Sequence, residues 1–449
     1  MRIFFSGIGG SGVSAIAGFM AGRGNIVSGS DRLFDREPGH PLRSIFLQAG
    51  IEVCPQDGSG LDASVDLAVF STAVEKGNPD LAAAARFNIP IKTRPEYLAE
   101  IVSGFKTIAV AGTSGKSTTS GMLAFVMQRL GMAPNFIGGG RVKQIRTPEN
   151  QGNYLVGNSD LLVIEACESD GSIVNYRPAH TIIANLDLDH HSVDETARMF
   201  EQLADHTSGL VIVGQDDVNL ARCRFENAAG FSIDRRSSCQ ATAITYHRFA
   251  TSFAVGQQSF ELNMPGRHNL YNALACIALL SQMGVEPAAI ASALPAFTGI
   301  ERRFDIHLND GRHLVLDDYA HNPHKLESLM KTMQGISSRV CYIFQPHGFG
   351  PTRMMRQGYV DVFTANLRKG DRLVVLPIYY AGGTAAKDIS SEDIAGPVRA
   401  FGRTADVLDR DAVMAVLGDC EAYVVLGARD DSLSDFAKKI AETLKLPQP

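Results

Sequence analysis

No apolar run in the 449-residue chain reaches the roughly 18 residues that a membrane-spanning helix needs, so none is expected. The seven cysteines, at 54, 167, 223, 239, 276, 341 and 420, are odd in number and form no C-x-x-C pair. That argues against a disulfide scaffold or a zinc knuckle and for reduced thiols. Basic charge is not in excess: 42 Lys and Arg stand against 48 Asp and Glu, a net charge of −6. A protein held on nucleic acid by bulk charge has the opposite balance. The opening Met-Arg-Ile-Phe-Phe-Ser-Gly turns to glycine too soon for the apolar core of a secretory leader, and a cytoplasmic protein is expected. Tryptophan is missing while glycine stands at 43, a balance that fits many tight strand-to-helix turns.

What is present is material for ordinary packed cores: 45% hydrophobic and 20% charged residues, in a length that suits two to four domains. Short strand-type runs recur at Ile3–Ser6, Thr107–Ala111, Leu161–Ala166, Thr181–Asn185, His313–Leu316, Val340–Phe344, Leu373–Pro377 and Ala422–Leu426. Helical periodicity intervenes, as at Val13, Ile16, Ala17 and Met20, and at Met122, Leu123, Val126 and Leu130. Strand, turn and helix in alternation predict an α/β fold with mainly parallel sheets. Interruptions near Ser103-Gly104 and after Pro295–Gly299 divide it into domains at 1–104, 105–298 and 299–449.

Five segments carry chemistry. Gly7-Ile8-Gly9-Gly10-Ser11-Gly12 follows a strand and opens a helix, the setting in which glycines admit a pyrophosphate to free helix N–H groups. Asp31 follows 19 residues after Gly12, near where an acid that binds ribose is expected. The loop says nucleotide without saying which. Gly112-Thr113-Ser114-Gly115-Lys116-Ser117-Thr118 has the Gly-Lys-Ser core of a phosphate loop, although Val110 stands where a strict Walker A has glycine. Lys116 suits the β- and γ-phosphates of ATP and Ser117 suits Mg²⁺.

Glu165, Glu168 and Asp170 end one strand; Asn185, Asp187, Asp189 and His190 end another. Carboxylate and imidazole beside a phosphate loop suit Mg²⁺ or Mn²⁺. Cys167 reads as packed and His191 as a bystander. Gly266-Arg267-His268-Asn269-Leu270-Tyr271-Asn272 opens a helix, where His268 or Asn269 either caps it or supplies amides to an adenine. Asp317-Asp318-Tyr319-Ala320-His321 and Gln345-Pro346-His347 follow strands of the last third. Arg302 and Arg303 stand at the domain junction, in reach of phosphate or simply at the surface.

Taken in order, these segments resemble the Mur ligase family over essentially the whole chain. The resemblance rests on Gly-Ile-Gly-Gly-Ser-Gly, Gly-Thr-Ser-Gly-Lys-Ser, Glu-Ala-Cys-Glu-Ser-Asp, Asn185…Asp189-His190, Gly-Arg-His-Asn-x-x-Asn-Ala, Arg-Arg-Phe-Asp and Asp-Asp-Tyr-Ala-His. It implies three consecutive domains: Rossmann-like, P-loop ATPase-like and C-terminal Rossmann-like. It implies that ATP drives amide formation between the carboxylate of a UDP-N-acetylmuramate-type nucleotide sugar and an amino acid, L-alanine or another amine, through an acyl phosphate. Mg²⁺ or Mn²⁺ would assist in a cytoplasmic monomer or homodimer, with neither nucleic acid nor membrane as partner. The implied UDP-sugar contacts are Gly7, Gly9, Gly10, Ser11, Gly12, Asp31 and Ser71. The implied ATP contacts are Gly112, Thr113, Gly115, Lys116, Ser117, Thr118, His268, Asn269, Asn272, Arg302, Arg303 and Asp318. Metal falls to Ser117, Glu165 and His190, and catalysis to Lys116, Glu165 and His190. Tyr319, His321 and Arg353 lie on the amino-acid side.

Some family members carry a carbamylated lysine after the Asp-His motif. No lysine lies between Lys143 and Lys325, so the resemblance is to the branch that lacks it. Where that branch reads Gln-Pro-His-Arg-x-x-Arg-x-Arg, this chain has Gly348 and Pro351 for the first two arginines and keeps Arg353. The Tyr-Pro-Ala-Gly-Glu segment is replaced by Tyr380-Ala381-Gly382-Gly383-Thr384. The acceptor end has changed while the ATP machinery is kept. A murein peptide recycling ligase and a non-catalytic nucleotide-sugar sensor of the same fold are the alternatives. A nicotinamide oxidoreductase has no use for the second, Gly-Lys-Ser site.

Overall fold

The computed structural model describes residues 1–189, 191–380 and 386–445. Three sheets mark three α/β domains. The chain forms two compact units: Met1–Met264 with His268–Ile300, and Pro265–Arg267 with the residues from Glu301 onward. The first unit holds two sheets and the second holds one.

The first sheet is wholly parallel. Its strands are β1 (Arg2–Ser6), β2 (Ile26–Ser30), β3 (Glu52–Cys54), β4 (Leu67–Phe70) and β5 (Ile91–Thr93), in the order β3-β2-β1-β4-β5. The order reverses beside β1, so the loop after β1 opens at a switch point, where such sheets bind ligands. Phe4 and Phe5 of β1 are fully buried, one on each face. Helices Ser11–Gly22 and Arg94–Ser103 belong to this domain. The second begins with a reciprocal capping box between Thr93 and Glu96, with Pro95 in its first turn.

The second sheet has ten strands: β6 (Lys106–Ala111), β7 (Asn135–Ile137), β8 (Tyr154–Leu155), β9 (Leu161–Glu165), β10 (His180–Ile183), β11 (Val211–Gly214), β12 (Ala229–Ser232), β13 (Cys239–Tyr246), β14 (Thr251–Val255) and β15 (Gln258–Leu262). Its centre is parallel, with β6 between β9 and β10, while β13-β14-β15 and the β7–β8 pair are antiparallel. Helix Lys116–Arg129 follows β6. The periodicity around Met122 predicts one apolar face, but Thr118–Met127 is buried all round. Helix Arg267–Gln282 also belongs to this core, through Leu270, Leu274 and Ile277.

The two sheets of the first unit share a core. Ile3, Phe5, Phe19 and Leu98 join Ala109, Ile164 and Ile183 in one buried cluster. Helix Ser11–Gly22 meets the segment around β8 through small residues. A side-chain carbon on Gly18 would lie 2.2 Å from Cε1 of Tyr154, and one on Gly22 would lie 2.8 Å from Cγ2 of Val156. Ser14 Oγ accepts from Gln151 Nε2 at 2.9 Å and Asn153 Nδ2 at 3.0 Å. Backbones approach this closely only where one side lacks Cβ atoms.

The second unit carries β16 (Asp305–Asn309), β17 (Leu314–Asp318), β18 (Val340–Phe344), β19 (Arg372–Val375), β20 (Ala405–Val407) and β21 (Ala422–Leu426). The order is β16-β17-β21-β18-β19-β20, parallel except for the edge strand β16. β18 and β21 are buried throughout, as strands of a sheet covered on both faces are. Among the described residues no helix is long and apolar enough to cross a membrane.

Candidate active site

The phosphate loop leaves β6 at its carboxyl end. Gly112 has φ +140° and Gly115 has φ +80°, backbone that L side chains rarely adopt. A side chain on Gly115 would also strike Asn272 Oδ1 at 2.4 Å. Asn185, at the end of β10, holds the loop from outside: its Oδ1 accepts from Ser114 N at 2.8 Å and Thr113 Oγ1 at 3.0 Å, and its Nδ2 donates to Ser114 O at 2.9 Å. Thr113 Oγ1 in turn accepts from Asp187 N. Asn272 accepts from Thr119 Oγ1 at 3.1 Å, so helix Arg267–Gln282 presents Asn272 to the loop. His268 and Asn269 lie inside the first turn of that helix rather than at its cap.

Lys116 donates to Gly112 O at 2.7 Å and to both carboxylate oxygens of Glu168, at 2.9 and 3.1 Å. Glu168 is only 1% exposed. Burial works against the lysine's charge, but the carboxylate of Glu168, aided by Cys167 and Glu165, outweighs it and holds the ammonium above its usual range. Lys116 is therefore a fixed cation at neutral pH. Ser117 Oγ donates to Glu165 Oε1 at 3.0 Å, and Glu165 Oε2 accepts from Gly139 N at 2.9 Å. A hydroxyl and a carboxylate, both hard oxygen ligands, thus meet beside the phosphate loop, a donor set that fits Mg²⁺ or Mn²⁺ with phosphate oxygens and water. Thr118 is buried at the start of the helix. His190, expected to join Glu165, lies outside the described residues. Cys167 is packed, and burial raises its thiol.

At the glycine loop of the first domain, only Gly7 has a left-handed φ, +81°. Ser71 abuts it, its Cβ 2.8 Å from where a Gly7 side chain would start. Gly9 N donates to Asp31 Oδ2 at 2.9 Å, and Asp31 Oδ1 accepts from Leu33 N at 2.9 Å. Both oxygens of Asp31 thus brace the loop and cap the next helix. Gly10 precedes helix Ser11–Gly22, whose first-turn amides at Ser11, Gly12 and Val13 have no intrahelical acceptor. Beneath the loop sits a residue the sequence reading missed: Asp80, fully buried, accepts from Ser6 Oγ, Ser30 Oγ and Gly58 N.

In the second unit, Asp318 accepts from Phe304 N and Ala320 N, both at 2.7 Å; burial raises its carboxyl, with Arg303 pulling the other way. The guanidinium carbons of Arg302 and Arg303 lie 5.1 and 4.9 Å from the centre of the Tyr319 ring. Arg302, expected to reach ADP, is buried and committed within its own unit: it donates to Gly427 O at 2.7 Å and Asp431 Oδ1 at 3.1 Å, and its Nε lies 3.6 Å from Asp317. Asp305, His307 and Asp317 bring their ligand atoms within 4.8 Å of one another, with the Arg302 cation already beside Asp317. His321 packs edge-on to Tyr319 and His347. Burial, reinforced by Lys325, lowers its imidazole to about 3, so it is neutral in the physiological range.

Gly348, at φ +67°, precedes helix Phe349–Asn366, and Pro351 lies in the first turn of that helix. Arg353 is paired with Asp388 and donates to Ala386 O at 3.1 Å. Lys387 Nζ stands 5.0 Å from the ring centre of Tyr380 and 6.0 Å from that of Phe349. The replaced segment at Ala381–Thr384 lies outside the described residues.

Residues 2–106 match the description "Mur ligase family, catalytic domain", residues 110–280 "Mur ligase middle domain", and residues 302–429 "Mur ligase, glutamate ligase domain". The UDP-N-acetylmuramate–L-alanine ligase of Solibacter usitatus is 31% identical, with 99% of this chain and 95% of the relative covered. That of Paenarthrobacter aurescens is 32% identical, covering 99% and 97%. The crystal structure of the Thermotoga maritima UDP-N-acetylmuramate–alanine ligase aligns with a TM-score of 0.82 at 26% identity, over 99% of each chain. A murein peptide ligase from Psychrobacter arcticus shares the fold, with a TM-score of 0.71 at 22% identity over the whole of both chains.

Proposed function

The chain belongs to the Mur ligase family and is an ATP-dependent ligase, and from that premise we propose its reaction. It joins the carboxylate of a UDP-N-acetylmuramate-type donor to an amino acid. The division 1–104, 105–298 and 299–449 belongs to this reading: donor nucleotide, ATP and acceptor amine in turn. The observation that carries it is the pairing of two phosphate sites in one compact unit, the Gly7–Gly12 loop and the Gly112–Thr118 loop with Lys116, Ser117 and Glu165 in place.

The chemistry follows from charge. A donor carboxylate oxygen attacks the γ-phosphorus of ATP; the bond to the bridging oxygen breaks, and ADP leaves. The amine then attacks the acyl carbon of the resulting acyl phosphate, loses a proton and expels phosphate. Both steps gather negative charge, and the Lys116 ammonium with the loop amides is positioned to offset it. Ser117 and Glu165 would hold Mg²⁺ or Mn²⁺, which when bound supplies Lewis-acid neutralisation of phosphate oxygens. Asn272, Asn269 and His268 serve the nucleoside end of ATP, and Tyr319, His321 and Arg353 belong to the acceptor side.

The test is phosphate release from ATP with UDP-N-acetylmuramate and a panel of amino acids and short peptides. Release that needs both donor and amine supports the ligase reading. Donor binding with no release under any amine would leave the sensor. The start of helix Phe349–Asn366, with Gly348 and Pro351 in place of two cations, favours a second reading in which the amine is larger than alanine, as in a recycling ligase.

A further inference from the structure

Arg94 is the first residue of helix Arg94–Ser103, and its side chain lies against Gly12 at the end of the glycine loop. A side-chain carbon on Gly12 would stand 3.3 Å from Cδ of Arg94, 3.8 Å from its Nε and 3.9 Å from its Nη1. Gly12 is not in the left-handed region, so backbone conformation does not demand glycine there. The arginine stem that crosses position 12 gives one reason for it. The guanidinium therefore stands near Gly12 in the first turn of helix Ser11–Gly22, the turn whose amides at residues 11–13 have no intrahelical acceptor. Its Nη2 pairs with Asp170 Oδ2, and both side chains are about one-fifth exposed.

Asp170 comes from the loop after β9, where its other oxygen already accepts from Ser172 N at 3.0 Å. The same loop carries Glu168, whose carboxylate sits on Lys116. Two acids two residues apart thus rest on two cations, one at each phosphate loop. Lys116 belongs to the ATP site. By position, Arg94 is its counterpart at the donor site.

We infer that Arg94 is a donor-diphosphate-binding residue, whose guanidinium exchanges the Asp170 carboxylate for phosphate oxygens when the nucleotide sugar binds. This rests on the reading of the glycine loop as a UDP-sugar site. A guanidinium fork matches phosphate in the way it matches carboxylate.

Calorimetry on the full chain tests this with UDP-N-acetylmuramate, UDP and uridine as probes. Arg94→Gln should bind UDP and UDP-N-acetylmuramate about ten- to hundred-fold more weakly, with uridine affinity unchanged. Arg94→Lys should fall between. Asp170→Asn breaks the same ion pair but leaves the arginine, and should bind UDP as tightly as the parent or more tightly. The ratio of UDP to uridine affinity cancels general damage to the fold, and Arg94→Lys supplies that ratio if the glutamine variant does not fold. An unchanged ratio in the Arg94 variants would overturn the inference. So would an equal loss in Asp170→Asn, because the arginine would then act only through its ion pair. A parent chain that binds neither UDP nor the nucleotide sugar would overturn the donor reading itself, and this inference with it.

Discussion

The ammonium of Lys116 rests 2.9 Å from the buried carboxylate of Glu168, so the cation of the Gly112–Thr118 loop also neutralises an acid inside the protein. Lys116→Ala is expected to reduce ATP turnover by at least about a hundred-fold, the usual scale for losing one electrostatic contact to a transition state. It also leaves Glu168 buried without its cation, which costs on the order of 3–5 kcal/mol. The Lys116→Ala/Glu168→Gln pair should recover much of that stability and none of the activity. Urea titrations with phosphate-release assays separate the two effects. A single variant as stable as the parent would mean that Glu168 finds another partner.

Glu165→Gln keeps a hydrogen-bonding side chain beside Ser117 and Gly139 but removes the charge. The Mg²⁺ concentration giving half-maximal turnover should rise about ten-fold or more. Magnesium titration of ATP-dependent phosphate release reads this directly, and an unshifted midpoint would remove Glu165 from the metal site.

Gly18→Ala places a methyl group where Tyr154 already lies. Overpacking of this kind costs about 1–3 kcal/mol. Tyr154→Ala should relieve it, so the double variant should lose less than the sum of the singles. Additive losses in chemical denaturation would show that the helix moves aside instead.

His321 is held neutral, with its imidazole lowered to about 3 against an ordinary value near 6.5. The unfolded chain binds the proton more readily between those values. The stability from this group is therefore complete above about pH 6.5 and is lost as pH falls towards 3, by at most about 1.4 kcal/mol per pH unit. Lys325, His347 and Arg303 add to the cost of charging it. Relative to His321→Gln, the parent should lose stability between pH 6.5 and 5. Parallel curves would place the histidine in contact with water.

L-Alanine should be a weak acceptor. A free amino acid presents a carboxylate, and Gly348 and Pro351 have no side chain to bind it. Arg353 is engaged with Asp388. One missing charge-assisted hydrogen bond is worth about 1.5–3 kcal/mol, or ten- to hundred-fold in affinity. Steady-state phosphate release across amines measures this. A sub-millimolar KM for L-alanine with ordinary turnover would show that Lys387 or another group has taken over.

The strands that carry the phosphate loops were legible because each is a short apolar run closed by glycine or by an acid. Val340–Phe344 and Ala422–Leu426 match the observed bounds. β2–β5, β7, β8, β11–β16 and β20 were not named. They are short or two-faced, as in Cys239–Tyr246, where buried and exposed residues mix. At the site, Lys116, Ser117 and Glu165 come together as their order implied. Arg94 and Asp80 were missed because each acts across more than twenty residues of sequence, at Asp170 and Gly12 for one and Ser6, Ser30 and Gly58 for the other. The Thr93-x-x-Glu96 capping signature was the available pointer to Arg94. Asp31 and Arg302 have the right chemistry, but local partners already engage them, and sequence spacing does not report that.

The contact of Gly18 and Gly22 with Tyr154 and Val156 has a consequence for how the chain melts. The first sheet shares buried side chains with the second, and the Ser14–Gln151–Asn153 network joins them at polar atoms. Neither sheet can open without exposing the other's core. Residues 1–300 should therefore absorb heat as a single cooperative transition, and a fragment cut near residue 104 would be left with a solvent-exposed apolar face and a tendency to aggregate.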